Sequence, residues 1–261
     1  MRTSRTSWTL IAFLLLAIGC GGGKKEATAE TPAAPAATSA APSSPWPWSD
    51  GATIKGTILF EGAAPAPAKV AMDADPVCQM QHGGKGQMTE DVAVADGKLK
   101  NVFVYVKDGL SGTFPSPTTP AKLDQHGCWY EPHVIGLQVN QPLEIVNSDG
   151  TLHNVNAKPT LNQPFNVAQP VQGMKTTKKF AKPELAIKVK CNVHPWMHAY
   201  IHVLEHPFFG VSDGAGAFSI ANLPAGTYTI EAWHEKLGTQ TQSVTVAAGE
   251  TKDVTFTFKS P

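Results

Sequence analysis

Leu185-Ala186-Ile187-Lys188-Val189-Lys190-Cys191-Asn192-Val193-His194-Pro195-Trp196-Met197 is the stretch from which the rest of the chain can be read. Leu185, Ile187 and Val189 fall at every second position, the period of a strand with one buried face. Cys191 to Met197 then forms a short loop with the spacing C-x2-H-x2-M, and Tyr200-Ile201-His202-Val203 resumes the strand period. The same alternation recurs on both sides, in Thr53 to Phe60, Asn101 to Lys107, Leu143 to Val146, Thr227 to Trp233 and Val254 to Phe258. Asp96-Gly97, Asp149-Gly150 and Ala225-Gly226 punctuate these runs as turns. No amphipathic helix of ten or more residues is apparent. The expected fold class is all-β, built as sandwiches.

The loop concentrates soft and imidazole donors. A metal that gains and loses one electron needs ligands that serve both oxidation states. One thiolate and two imidazoles in a plane, with a weak thioether above, serve both Cu(I) and Cu(II). Cys191, His194 and Met197 supply three of these from one loop, and His153, in His153-Asn154-Val155 after another strand and turn, supplies the fourth. The C-x-x-H-P-x-M form and the H-N-V context resemble the cupredoxins, the amicyanin type above all.

That resemblance runs from Val134 to Leu204 and departs where Asn156-Ala157 follows H-N-V. It implies a cupredoxin-like Greek-key β-sandwich with one type 1 copper on His153, Cys191, His194 and Met197. Asn154 would pin the ligand loop by hydrogen bonds. His194 would reach the surface, with Pro195 and Trp196 forming an electron-entry patch. Four protein ligands leave no open position for substrate, and no second cupredoxin repeat or extra histidine-rich motif is present. The expectation is therefore a one-electron carrier rather than an enzyme, with a transient redox partner of the cytochrome or dehydrogenase class. A copper-holding or delivery protein, and a structural or carbohydrate-binding β-sandwich, are the competing readings. Gly51 to Asp124 is longer than a minimal cupredoxin needs.

Past Glu205-His206-Pro207 the pattern changes. Gly210 to Ile220 leads into Asn222-Leu223-Pro224-Ala225-Gly226-Thr227-Tyr228, which resembles the carboxypeptidase regulatory-like β-sandwich. This implies a second, smaller Ig/transthyretin-like sandwich and carries no chemistry. The expected partition is 51–205 for an extended cupredoxin-like domain and 206–261 for the regulatory-like one. Only the later strands of that sandwich lie in 206–261. Ile54-Lys55-Gly56-Thr57-Ile58 is a candidate for its first strand, which would make the copper module an insertion.

The N-terminus reads as an export signal. Arg2 and Arg5 precede the apolar run Leu10 to Ile18, and Leu16-Ala17-Ile18-Gly19-Cys20 resembles the bacterial lipoprotein signal. The resemblance implies removal of residues 1–19, a lipid on Cys20 and an extracytoplasmic location on a membrane. Residues 20–50 are dominated by Ala, Pro, Thr and Ser and read as a disordered tether. Basic and acidic residues balance at 21 each, so no basic field invites nucleic acid. Of the four cysteines, Cys78 and Cys128 are left over once Cys20 and Cys191 are assigned. In an oxidising compartment they read as a disulfide, or else, with His82 and His126, as a second metal site. His198 and His202 share a strand face and read as solvated residues, or as a surface ion site. His133, His206 and His234 have no identifiable partner, and Trp233-His234-Glu235 is assigned no role.

Overall fold

The computed structural model describes residues 50–260. The expected signal sequence, Cys20 and the expected tether up to residue 49 lie outside the described residues. No described helix is long and apolar enough to cross a membrane. Strands supply nearly all the regular structure, and the single described helix, Pro76–Gln81, has six residues.

Ala52–Glu61 organises the first sandwich. Its β-branched residues alternate, so Ile54 and Ile58 point inward with Ala52 and Phe60 while Lys55 faces solvent. Gly56 completes the inward series without a side chain. A Cβ there would lie 2.3 Å from the Phe218 ring and 2.2 Å from the Val254 carbonyl oxygen, so Phe218 fills the space. The strand pairs in parallel with Thr251–Lys259 and antiparallel with Ala217–Leu223. A second sheet orders Phe209–Val211, Phe103–Asp108, Gly226–His234 and Gly238–Val246. Between the two sheets lies one core, in which Ile54, Ile58, Phe256 and Phe258 meet Val104, Val106, Ile230 and Val244.

The second sandwich is built from the middle of the chain. One sheet orders Lys175–Lys178, Leu143–Asn147, Ala121–His126 and Trp129–Glu131. The other orders Phe165–Gln169, His153–Ala157, Glu184–Lys190, His198–Leu204 and Val134–Gln138. Leu123, Leu143, Ile145, Val155, Ile187, Val189 and Ile201 share its core. Val70, Met72 and Cys78, from the segment carrying the short helix, belong to the same core. The chain thus starts in the first sandwich, covers the second, and returns for Phe103–Asp108. It then builds the second sandwich and finishes in the first.

This pairing departs from the expected partition at 205/206. Ala52–Glu61 takes the place of the candidate first strand of the regulatory-like sandwich, but Phe103–Asp108, assigned on sequence to the copper half, also hydrogen-bonds to strands beyond residue 206. Strand period reveals that a strand exists but not its partner, which long-range packing selects. A smaller departure lies in Glu184–Lys190. Leu185 is exposed although Ile187 and Val189 are buried. A register shift between Glu184 and Ile187, with Ala186 at a φ of 54°, turns the strand over.

The two sandwiches meet at an aromatic seam of Phe103, Tyr105, Val134, Leu204 and Phe209. His202, expected in solvent, is fully buried here, stacked on Phe103 with ring centroids 4.0 Å apart. Gly136 makes the close approach fit. A Cβ there would sit 2.4 Å from the Phe209 ring and 2.7 Å from that of Phe103. Gly136→Ala should cost about 1–3 kcal/mol, the usual penalty of overpacking a core. Urea unfolding of wild type and variant checks this, and an unchanged midpoint would mean that the seam is loose.

Candidate metal centre

His153 opens the strand His153–Ala157, and Cys191 directly follows Glu184–Lys190. The two strands pair antiparallel, Asn156 opposite Lys190 and Ala157 opposite Val189, which brings His153 and Cys191 to the same sheet end. The loop beyond Cys191 closes on itself. The Cys191 N–H donates to the Met197 carbonyl at 3.1 Å, and the Met197 N–H to that of His194 at 2.9 Å. His153, Cys191 and His194 each present a ligand atom within 4.8 Å of the others. Met197 is fully buried and packs in the same core as Cys191.

The two imidazoles face each other through Nδ1, 2.9 Å apart, and His194 Nδ1 lies 3.7 Å from Cys191 Sγ. Each ring turns Nε2 to a carboxylate: His153 to Asp149 Oδ2 at 2.9 Å, His194 to Asp75 Oδ2 at 3.0 Å. A carboxylate only accepts, so each Nε2 carries its proton and both Nδ1 lone pairs converge beside the sulfur. Such a set is stable only with a shared proton or a cation among the three atoms. Without a metal, burial alone would raise the Cys191 thiol. Hydrogen bonds from His153, His194 and the backbone overcome that and bring it down to about 5. Burial likewise opposes charge on His153, yet Asp149 and Cys191 raise it to about 8. The three side chains by themselves thus form an imidazolium–thiolate pair whose proton a soft cation would replace.

Asn154 acts on the loop from beneath. Its Oδ1 accepts the Asn192 N–H at 2.6 Å and faces Cys191 Sγ at 3.4 Å, while its Nδ2 donates to Asn166. Two acidic residues that sequence reasoning passed over complete the surroundings. Asp149 sat in what read as a plain turn. Besides His153, it accepts the N–H groups of Gly127 and Cys128 and the amide of Gln81. Asp75 caps the short helix through Oδ1, leaving Oδ2 for His194 and for the Thr151 hydroxyl. An aspartate just before a proline signals a helix start, but not that its second oxygen reaches a histidine 119 residues away.

Cys78 and Cys128 are joined by a disulfide, so neither thiol is free for a metal. His82 Nε2 bonds the Gly127 carbonyl at 2.7 Å, and the His126 side chain is 61% exposed. The disulfide also corrects the picture of His194. That residue, expected at the surface, is only 2% exposed. Asp75 covers its Nε2, Cys78 Sγ lies 3.6 Å away, and Trp196 packs alongside while donating Nε1–H to the Cys128 carbonyl. The segment before residue 94, which a minimal cupredoxin would not need, is what covers it. Pro195 is exposed and Trp196 half-buried, with Val193 exposed beside them.

A search of curated proteins gave no match. Among solved structures, a copper-containing nitrite reductase from Thermus scotoductus SA-01 is 22% identical over 38% of this chain, with a TM-score of 0.32; only 25% of that enzyme's chain is covered. A purple cupredoxin from Nitrosopumilus maritimus is 19% identical over 32% of this chain and 99% of its own, with a TM-score of 0.28. The Cu(I) form of a mutant amicyanin is 14% identical over 40% of this chain and 99% of its own, with a TM-score of 0.30. Residues 197–259 match the carboxypeptidase regulatory-like domain family, and the chain carries that β-sandwich in its C-terminal part.

Proposed function

We propose that the chain binds one copper ion of the type 1 kind through His153, Cys191, His194 and Met197 and uses it to carry single electrons. The observation that carries this reading is the convergence of two Nδ1 lone pairs and one thiolate, with both Nε2 groups fixed by carboxylates. A thiolate with two imidazoles selects copper or zinc over hard cations, and a buried thioether beside them favours copper. Bound there, copper would alternate between Cu(I) and Cu(II), gaining or losing one electron. The chain's own contribution is rigidity. Asp149, Asp75 and Asn154 hold the ligands so that little moves between the two states. With four protein ligands the site offers a substrate no place, which supports a carrier rather than an enzyme. The expected export signal and tether fit an extracytoplasmic protein, in the periplasm or on the cell surface of a bacterium, held to a membrane by a lipid on Cys20. Of the expected patch, Pro195 is exposed and Trp196 half-buried, and with the neighbouring exposed Val193 they offer a contact for a cytochrome or dehydrogenase that docks briefly.

The burial of His194 favours a second reading, copper holding or delivery. A covered ligand slows exchange of electrons with a partner while still retaining the ion. Visible and EPR spectra of residues 46–261 loaded with Cu(II), together with the electron self-exchange rate, separate the readings. A blue, rapidly exchanging protein supports the carrier. A colourless protein that binds only Cu(I) supports holding and ends the carrier reading.

His194→Gly should leave a folded protein whose copper takes up added imidazole, changing its visible spectrum. The same spectrum with and without imidazole would exclude His194 as a ligand.

A further inference from the structure

A second group of donors lies where the sandwiches meet. His133 directly precedes the strand Val134–Gln138, and His198 opens His198–Leu204. Glu235 follows Gly226–His234 in the other sandwich. One ligand atom from each lies within 4.8 Å of the others. The two imidazoles stand nearly perpendicular, at 79°, with centroids 5.0 Å apart. Asp91 approaches from the segment ahead of the first sandwich's return, its Oδ1 3.4 Å from His198 Nε2.

The hydrogen bonding of this group is incomplete. His198 Nδ1 faces the Trp196 carbonyl at 3.1 Å, which fixes the proton on Nδ1 in the neutral ring. Its Nε2 faces two carboxylates, Asp91 at 3.4 Å and Glu235 at 3.5 Å, at ion-pair distance but outside hydrogen-bond geometry. The Glu235 side chain is 3% exposed. One of its oxygens contacts His133 Nε2, while Oε2 is buried with no hydrogen-bond partner. A buried carboxylate oxygen facing an imidazole nitrogen needs positive charge between them, and either a second ring proton or a metal ion supplies it.

We infer that His133, His198 and Glu235, with Asp91 at the rim, form a second metal site for a divalent transition ion such as zinc, clamping the two sandwiches together. Two imidazoles and one or two carboxylates are a donor set that zinc accepts. With both carboxylates the dication is neutralised. No thiolate takes part, so the site's preference differs from that of the copper pocket. A cleft of about 360 Å³, bordered by Pro67, Thr89, Asp91, Lys236 and Leu237, lies beside Asp91. Neighbouring Lys236 holds the outer oxygen of Asp91 at 3.2 Å. Since His198 adjoins Met197, an ion here would also brace the end of the ligand loop.

The test uses the full chain carrying Cys191→Ala, which disables the copper pocket, so the result does not depend on the proposed function. Zinc is added, and its stoichiometry is measured after dialysis, with X-ray absorption at the zinc edge to identify the ligand atoms. One zinc per chain is expected, with nitrogen and oxygen neighbours, no sulfur, and a raised unfolding temperature. Glu235→Gln, nearly the same shape, should weaken zinc binding by roughly a hundredfold or more, and His133→Gln likewise. Circular dichroism confirms that each variant folds; Asp91→Asn, nearer the surface, is the fallback if both fail and should also weaken binding. No retained zinc, or zinc retained equally in the folded variants, would overturn the site and leave a cluster held by protons alone.

Discussion

Cys191→Ser is expected to give a folded protein that stays colourless when Cu(II) is added. The intense visible absorption of a type 1 site arises from charge transfer between a thiolate and copper, so removing the sulfur removes it altogether. The change is otherwise small. Serine fills almost the same space in a site that is 2% exposed, and its hydroxyl can still face Asn154. The imidazolium–thiolate pair disappears with the sulfur, so copper affinity should fall as well as colour. Absorption and EPR of the two proteins decide the matter. A blue band surviving in the variant would mean that copper sits elsewhere, and the assignment of all four ligands would fall.

Replacing both Cys78 and Cys128 by serine is the second large effect. The bridge closes a loop of 50 residues, and the chain-entropy account gives such a cross-link about 4 kcal/mol. For a folded part of this size that corresponds to roughly 8–16 °C in unfolding temperature. The change reaches further than stability, because the bridge fastens the short helix over His194. Freed of it, Asp75 should leave the ring more often, and His194 should meet solvent, added ligands and redox partners more readily. Electron self-exchange is therefore expected to rise while the melting temperature falls. If both stay as in the wild type, the segment before residue 94 is held by its other contacts and is not a removable cover.

The all-β class was legible because alternation needs only local sequence, as in Ala52–Glu61 and Phe103–Asp108. The convergence of His153, Cys191 and His194 was legible because three of the four candidate ligands fall within one loop and the fourth opens a strand. What stayed hidden depends on contacts between distant segments. Asp75 and Asp149 look like ordinary cap and turn residues until their second oxygens meet histidines. The turn in the strand at Ala186 leaves no mark in an alternation that Leu185 continues by its residue type alone. Nor could composition show that the extension lies across His194, since burial of a histidine is decided by whatever packs on it. His133, His198 and Glu235 are far apart in sequence and acquire meaning only at the seam.

Ala52–Glu61 is made early and finds its neighbours late. Ile54 lies opposite Ile220 on one side and Lys252 on the other. At ordinary rates of protein synthesis the last of these emerges roughly 10–40 s after the strand itself. In that interval residues 121–204 have been completed and can close their own core, whereas the first strand has only the short Val94–Ala95 and Lys98–Leu99 pair to bond with. A newborn chain of this protein therefore passes through a stage with a finished second sandwich and an apolar strand that lacks its two long partners. A truncation of Thr251–Lys259 would leave one edge of that strand open for good.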